Sequence, residues 1–423
     1  MTQHAIFPDS IKITSASGLY LYSEDGRAIM DGISSWWINT FGHCHPKMVS
    51  AVQHQAAELE QVIFAGFTHH PAEQLTDRLL SVVHRHLGDH LNYVFYSDSG
   101  STAVEVALKM AIGHFEHRGQ QRRTIVALEG GYHGDTFGTM SAGERSIYND
   151  IYQPYLFEVS YLPFPESAVE AEDSKTVRHF RALLEQQGND VAALILEPLI
   201  QGAGGMRIYS AGLLRSLHEL CQQYGVLLIA DEVMTAFGRT GTLFACEQAG
   251  ISPDLLCLSK GLTGGFLAMG ATLASEDIYE SFYDTDRSKT FFHSSSFTGN
   301  PLACAAAVAS LDIWEQEPIM EHVSRIQRRH QSAIRQLQYY PGISNVRVQG
   351  TILALEIAGS DSNYLSAIGP QLYRFYLNQN ILLRPLGNCV YVLPPYCIND
   401  NELESIYDCI ARSADHIRNG ICQ

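Results

Sequence analysis

Lys260 closes the apolar run DLLCLS and is followed at once by GLTGG. A lysine at the end of a buried strand is desolvated, which lowers its pKa and favours the neutral amine that attacks a carbonyl. The glycines beyond it leave room for a flat ligand. Three other strand ends carry groups of related use. Asp231 follows VLLIA and can hold a cationic ring nitrogen, while Arg239, eight residues on, can take a carboxylate or phosphate bidentately. Tyr132 lies between the glycines of EGGYHGDTFG, placed to lay its ring against a planar ligand. YVFY runs into SDSGSTAVEVALK, where the Gly100 and Ser101 N–H groups at a helix start suit a phosphate and Thr102 and Glu105 have capping-box spacing.

Each group has an ordinary alternative. Lys260 can snorkel out of a strand end, Asp231 and Arg239 can form a surface ion pair, Tyr132 can cap the core, and most serine-rich caps bind nothing. Together, an anion cradle, an aromatic plate, an acidic partner for a ring nitrogen and an amine for an aldehyde describe one site. Pyridoxal 5'-phosphate uses all four. A nicotinamide site would need GxGxxG straight after a strand, and none is found. His43, Cys44 and His45, even with His69 and His70, lack the spacing of structural zinc ligands, so no metal is expected there.

The elements that must position these residues follow from periodicity. LYLYSEDGRAIMD, residues 19 to 31, reads as two short strands turning at Asp25-Gly26. Helical spacing follows from Pro46 and from Pro71. YVFY (93–96), TIVAL (124–128), VAALILE (191–197), VLLIAD (226–231) and DLLCLS (254–259) are near-continuous apolar runs separated by helices. Such runs predict strands of a parallel sheet buried on both faces, whose ligands gather at the strands' carboxyl ends. After about residue 303 the pattern is one long helix, strands in GISNVRVQGTILALEIAG, a helix, the strand NCVYVLPP and a closing helix from Asn401. That mixture predicts a smaller α+β lobe.

With 423 residues the chain is long enough for two lobes. A formal net charge of -17 disfavours nucleic acid and anionic membranes as partners. The basic stretch Arg325, Arg328, Arg329 and His330 reads as a solvated helix face. No apolar run approaches membrane-spanning length and MTQHAIFPDS has no secretory pattern, so a cytosolic protein is expected. Nine cysteines without a CxxC pair suit reduced, mostly buried thiols, Cys257 among them as a small core residue.

The ordered set SDSGSTAVEVALKMA, GGYHGDT, ILEPLIQGAGGM, LLIADEVMTAFGRTG, SKGLTGG and SFTGNPLACAAA resembles the class III, fold-type I aminotransferases over nearly the whole chain. The resemblance implies an α/β, fold-type I PLP-dependent transferase. Its large domain, 46–303, would hold a mostly parallel sheet flanked by helices; 1–45 and 304–423 would form a smaller α+β domain. It implies Lys260 as the Schiff-base and proton-transfer lysine, Asp231 as the pyridinium partner, Ser99, Gly100 and Ser101 as the phosphate cradle, and Tyr132 stacked on the ring. Ser296 would reach the phosphate of a neighbouring subunit's cofactor, making the active form a homodimer. The family usually has Thr at that place, and Ser296 keeps the hydroxyl.

Within the family, DGISSWWINTFGHCHP, GGYHGD and LLRPLGNCVYVLPPY are similar to members that aminate 8-amino-7-oxononanoate in biotin synthesis. That similarity implies Trp36 and Trp37 as walls for a fatty-acid-like chain, Arg384 as the holder of the keto-acid carboxylate, and Arg239 and Tyr391 in the amino-donor pocket. The Trp36-Trp37 pair and Tyr391 are similar to users of S-adenosyl-L-methionine. Lysine as donor, or the activity of an ω-amino-acid or diamine transaminase, are the alternatives. The stretch MTQHAIFPDSIKITSASG lacks the tyrosine that family members carry near the substrate in a His-Pro-Tyr-Thr-like segment.

Overall fold

The computed structural model describes residues 10–147, 149–166, 174–358 and 366–421, so all but the last residue of the MTQHAIFPDS stretch lies outside the described residues. The chain divides into two compact units. One spans Ser50–Glu315; the other joins the residues up to Val49 to those from Gln316 onward.

The Ser50–Glu315 unit is built on a seven-stranded sheet in the order Leu91–Ser97, Gly270–Ser275, Leu255–Leu258, Leu227–Asp231, Val191–Leu196, Thr124–Leu128, Val159–Leu162. All five apolar runs are strands of it, and alternate residues feed two separate cores. Val126, Leu128, Leu194, Leu228, Ala230 and Leu256 join one core, which also takes the helices His70–Leu87, Lys175–Gln187 and Ala211–Tyr224. Ile125, Ala127, Ile195, Ile229 and Cys257 join the other, packed on the helix Gly100–His117. Burial on both faces is why these strands read as unbroken apolar runs. Val159–Leu162 and Gly270–Ser275 are additions to the sequence reading. Gly270–Ser275, GATLAS, is antiparallel to both neighbours and built of small residues, so no branched run announces it.

In the other unit, Ile13–Ser17, Tyr20–Ser23, Ala28–Asp31 and Ile381–Leu382 form a four-stranded sheet, and Ile343–Gln349, Ile352–Ile357 and Cys389–Val392 a three-stranded one. The expected single long helix after residue 303 is instead two, Pro301–Gln316 and Ile319–Leu337. Pro318 disfavours helical geometry at Glu317 and has no N–H to continue the ladder. The expected solvated basic face is corrected in part. Arg325 pairs with Asp400 at 2.7 Å and Arg329 with Glu404 at 2.7 Å, but His330 is fully buried.

His330 Nε2 donates to the Thr351 carbonyl at 3.0 Å and Nδ1 lies 2.7 Å from the Tyr407 hydroxyl, from which the neutral ring accepts. Burial pushes its pKa down from 6.5 to about 4. Below pH 6.5 the unfolded chain therefore binds a proton that the folded chain refuses. Stability present above pH 6.5 is lost as pH falls towards 4, by roughly 3 kcal/mol at the lower end. Denaturation of wild type and His330→Gln at pH 7.5 and 4.5 is expected to show a smaller acid-side loss in the variant.

Among the described residues no helix is long and apolar enough to cross a membrane. Nor does any group of three or more His, Cys, Asp and Glu among them stand ready for a metal. His43 pairs with Asp31 at 2.9 Å, and His69 caps the helix His70–Leu87, accepting from Ala72 N.

Candidate active site

The anion cradle comes first because the helix Gly100–His117 builds it. Ser99 is its N-cap, and the capping box joins Ser99 and Thr102, each side chain serving the other's backbone N–H. The expected Thr102–Glu105 box is corrected: Glu105 accepts from Thr136 Oγ1 and from the Gly138 and Thr139 N–H groups at 2.8 and 3.2 Å. Glu105 therefore fastens the loop after Tyr132 to the helix. Gly100 and Ser101 occupy the first helical positions, whose N–H groups have no acceptor within the helix and carry the positive end of its dipole. Gly100 is needed for packing as well, since a Cβ there would stand 2.6 Å from Val233 Cγ1. A Cβ on Gly134, at φ +134°, would overlap the Ser101 hydroxyl, so the Tyr132 loop closes directly over the cradle.

Asp231 ends its strand buried, 4% exposed, and Arg239 is buried as well, 2% exposed, so neither is a surface group. Asp231 Oδ2 faces His133 Nδ1 at 2.7 Å and its Oδ1 accepts from Val233 N at 3.1 Å. Both of its carboxylate oxygens are thus hydrogen-bonded, as a buried polar group requires. Glu197 joins from a third strand end, accepting from Tyr132 N at 3.1 Å and Gly202 N at 2.8 Å. Burial raises its pKa to about 7, against the lowering influence of His133.

Lys260 follows Leu255–Leu258 and opens a short 3-10 turn at φ 33°. Desolvation lowers its pKa from 10.5 to about 8, Asp231 and Glu197 opposing and Arg239 assisting. Near neutral pH roughly a tenth of such amines are uncharged, against about one in a few thousand for an ordinary lysine. Tyr132, whose hydroxyl burial pushes up, is half-buried beside this group. Gly100, Ser101, Tyr132, Asp231 and Lys260 are thus brought together in one unit. Free N–H donors, a partnered buried carboxylate and a desolvated amine are the donor set pyridoxal phosphate needs.

His133 and Glu197 went unread as site residues. Their signal was available, since both stand at strand ends within GGYHGDT and ILEPLIQGAGGM, but their partners lie on other strands. Ser296 is exposed on a turn, its carbonyl taking Gln61 Nε2 at 2.7 Å while Ser295 donates to Asp98.

Trp36, Trp37, Arg384 and Tyr391 belong to the other unit. Ser34, Ser35, Trp36 and Trp37 form a left-handed turn with φ of 53, 46, 72 and 72°. Four such residues without glycine cost on the order of 1–2 kcal/mol each. Asp31, fully buried, holds the turn: Oδ1 accepts from Ile33 N and Ser35 N, Oδ2 from Ser35 Oγ at 2.7 Å and His43 Nε2 at 2.9 Å. The turn splits the tryptophans. Trp37 is buried edge-on to Tyr391, centroids 5.9 Å apart, while Trp36 is 49% exposed with Arg384 4.6 Å from its ring centre. Asp31→Ala is expected to cost about 3 kcal/mol, because several buried donors lose their acceptor at once. Urea denaturation monitored by tryptophan fluorescence checks this.

The model of the family described as "Aminotransferase class-III" matches residues 3–413. A relative from Synechococcus elongatus, named adenosylmethionine-8-amino-7-oxononanoate aminotransferase, is 47% identical over 418 residues, 97% of this chain and 96% of its own. A Helicobacter pylori protein of the same name is 38% identical, covering 99% of this chain and 95% of its own. The crystal structure of the enzyme so named from Methanocaldococcus jannaschii superposes with a TM-score of 0.91 at 31% identity, covering 97% of this chain and 94% of that one. With a strand-end lysine, a carboxylate and a helix-start cradle in one sheet, and a family match across nearly its whole length, this chain belongs to the class-III aminotransferases.

Proposed function

We propose that this protein transfers an amine from S-adenosyl-L-methionine to the ketone of 8-amino-7-oxononanoate, yielding 7,8-diaminononanoate for biotin biosynthesis. The observation that carries the chemistry is the desolvated Lys260 amine, its pKa lowered to about 8, in one unit with Asp231 and the Gly100–Ser101 cradle. The relatives' names and the Trp36-Trp37 and Tyr391 set support the substrates.

Pyridoxal 5'-phosphate, when bound, supplies an aldehyde that captures amines and a cationic ring that withdraws electrons from the bonds of the captured carbon. Gly100 and Ser101 hold its phosphate through N–H groups, with Ser99 fixing the helix start. Asp231 keeps the proton on the ring nitrogen, and His133 steadies the carboxylate. Tyr132 would lie against the ring. Lys260 Nζ would hold the aldehyde and would serve as the base for the proton on the donor's α-carbon. The same amine would deliver the proton to the carbon that was the ketone of the acceptor. Arg384 would take the acceptor carboxylate, Trp36 and Trp37 would wall its apolar chain, and Arg239 and Tyr391 would each contact the donor.

The active form is a homodimer in which Ser296 serves the neighbouring subunit's phosphate. Ile63, Phe67 and Phe297, each more than 60% exposed, share the surface that Gln61–Ser296 and His69–Gly299 bonds tie together, and such a patch is expensive to leave in water. Mass spectrometry of the product, with adenosylmethionine, lysine or β-alanine as sole donor, tests the reading. Diaminononanoate formed from adenosylmethionine alone supports it; formation from lysine alone replaces the donor, and none from any donor removes the acceptor. Sedimentation at a single-chain mass would remove the dimer.

A further inference from the structure

Arg384 is half-buried, and among the described residues its guanidinium has ring contacts but neither an ion pair nor a hydrogen bond. Its Cζ lies 4.6 Å from the Trp36 ring centre and 5.8 Å from that of Tyr373, both within cation–π reach. The backbone brings these residues together: Ile381–Leu382 pairs in parallel with Met30 and Asp31, which places the chain just before Arg384 beside the start of the left-handed turn that carries Trp36. Tyr373 is half-buried on the helix Ile368–Asn378, whose Leu372 and Tyr376 are fully buried and fix it in place. A ring attracts a guanidinium through the cation's charge without consuming its N–H groups, so the planar fork stays available for a carboxylate.

We propose that Trp36 and Tyr373 together hold the Arg384 guanidinium for the substrate carboxylate, which makes Tyr373 a positioning residue selecting acid-ended amine acceptors. The inference rests on the reading of Arg384 as the carboxylate holder. It assigns to Tyr373 a part that the motif residues around Trp36 and Arg384 do not contain.

The test compares 8-amino-7-oxononanoate with its methyl ester, using holoenzyme and saturating donor. Tyr373→Leu is expected to raise KM for the acid about fivefold, the range one partly desolvated cation–π contact allows, with kcat unchanged. KM for the ester should not move, and Tyr373→Phe, which keeps the ring, should restore the wild-type value for the acid. Tyr373→Gln serves if the leucine variant does not fold. An unchanged KM for the acid, or an equal rise for acid and ester, overturns the role of Tyr373. Arg384→Ala separates the two layers: if it leaves KM for the acid unmoved, Arg384 is not the carboxylate holder and the ring argument falls with it.

Discussion

Replacing Lys260 with alanine is expected to lower kcat by at least roughly 10⁴-fold, because in the proposed mechanism one side chain supplies both the amine that holds the cofactor aldehyde and the base that moves the substrate proton. No neighbour can take over. Asp231 and His133 are bonded to each other, and Glu197 is spent on the Tyr132 and Gly202 N–H groups. The Lys260→Ala protein supplied with pyridoxal phosphate should also lack the yellow colour of the lysine-bound cofactor. Steady-state product formation at more than a hundredth of the wild-type rate, roughly the level a single general-base contribution would leave, would refute the assignment.

Asp231→Asn is expected to have the next largest effect, lowering kcat about 10³-fold in both half-reactions. Asparagine keeps the shape and the Val233 N–H contact but removes the charge that holds a proton on a ring nitrogen. A neutral ring is a far weaker electron sink, so the loss should fall on proton transfer and not on affinity for either substrate. Stopped-flow absorbance of each half-reaction separates these. A variant that raises KM while keeping kcat would show Asp231 to be a structural partner of His133 only.

The strand ends were legible because the runs VLLIA and DLLCLS are near-continuously apolar and end at Asp231 and Lys260. What the sequence hid is cross-chain. His133 and Glu197 acquire meaning only when three strands are side by side, and Glu105 was misread because its three donors lie some 30 residues away on the Thr136–Thr139 segment. The left-handed turn at Ser34–Trp37 could not be read at all, since no glycine marks it; it is held by Asp31, whose acceptors offset part of its backbone cost. The antiparallel strand Gly270–Ser275 went unread for a different reason. Its small residues let the helix Gly100–His117 pack closely, with Thr272 Oγ1 donating to the Ala103 carbonyl at 2.7 Å, and so carry no branched signature.

The proposed reaction has two separable halves, and the most direct measurement watches each. The yellow holoenzyme is mixed with adenosylmethionine alone and followed by absorbance, then 8-amino-7-oxononanoate is added. Adenosylmethionine is expected to bleach the colour and the keto acid to restore it, with diaminononanoate released in amount equal to the enzyme sites. Bleaching by an ω-amino acid with no return of colour on adding the keto acid would contradict the proposed function and leave a class-III aminotransferase of other specificity.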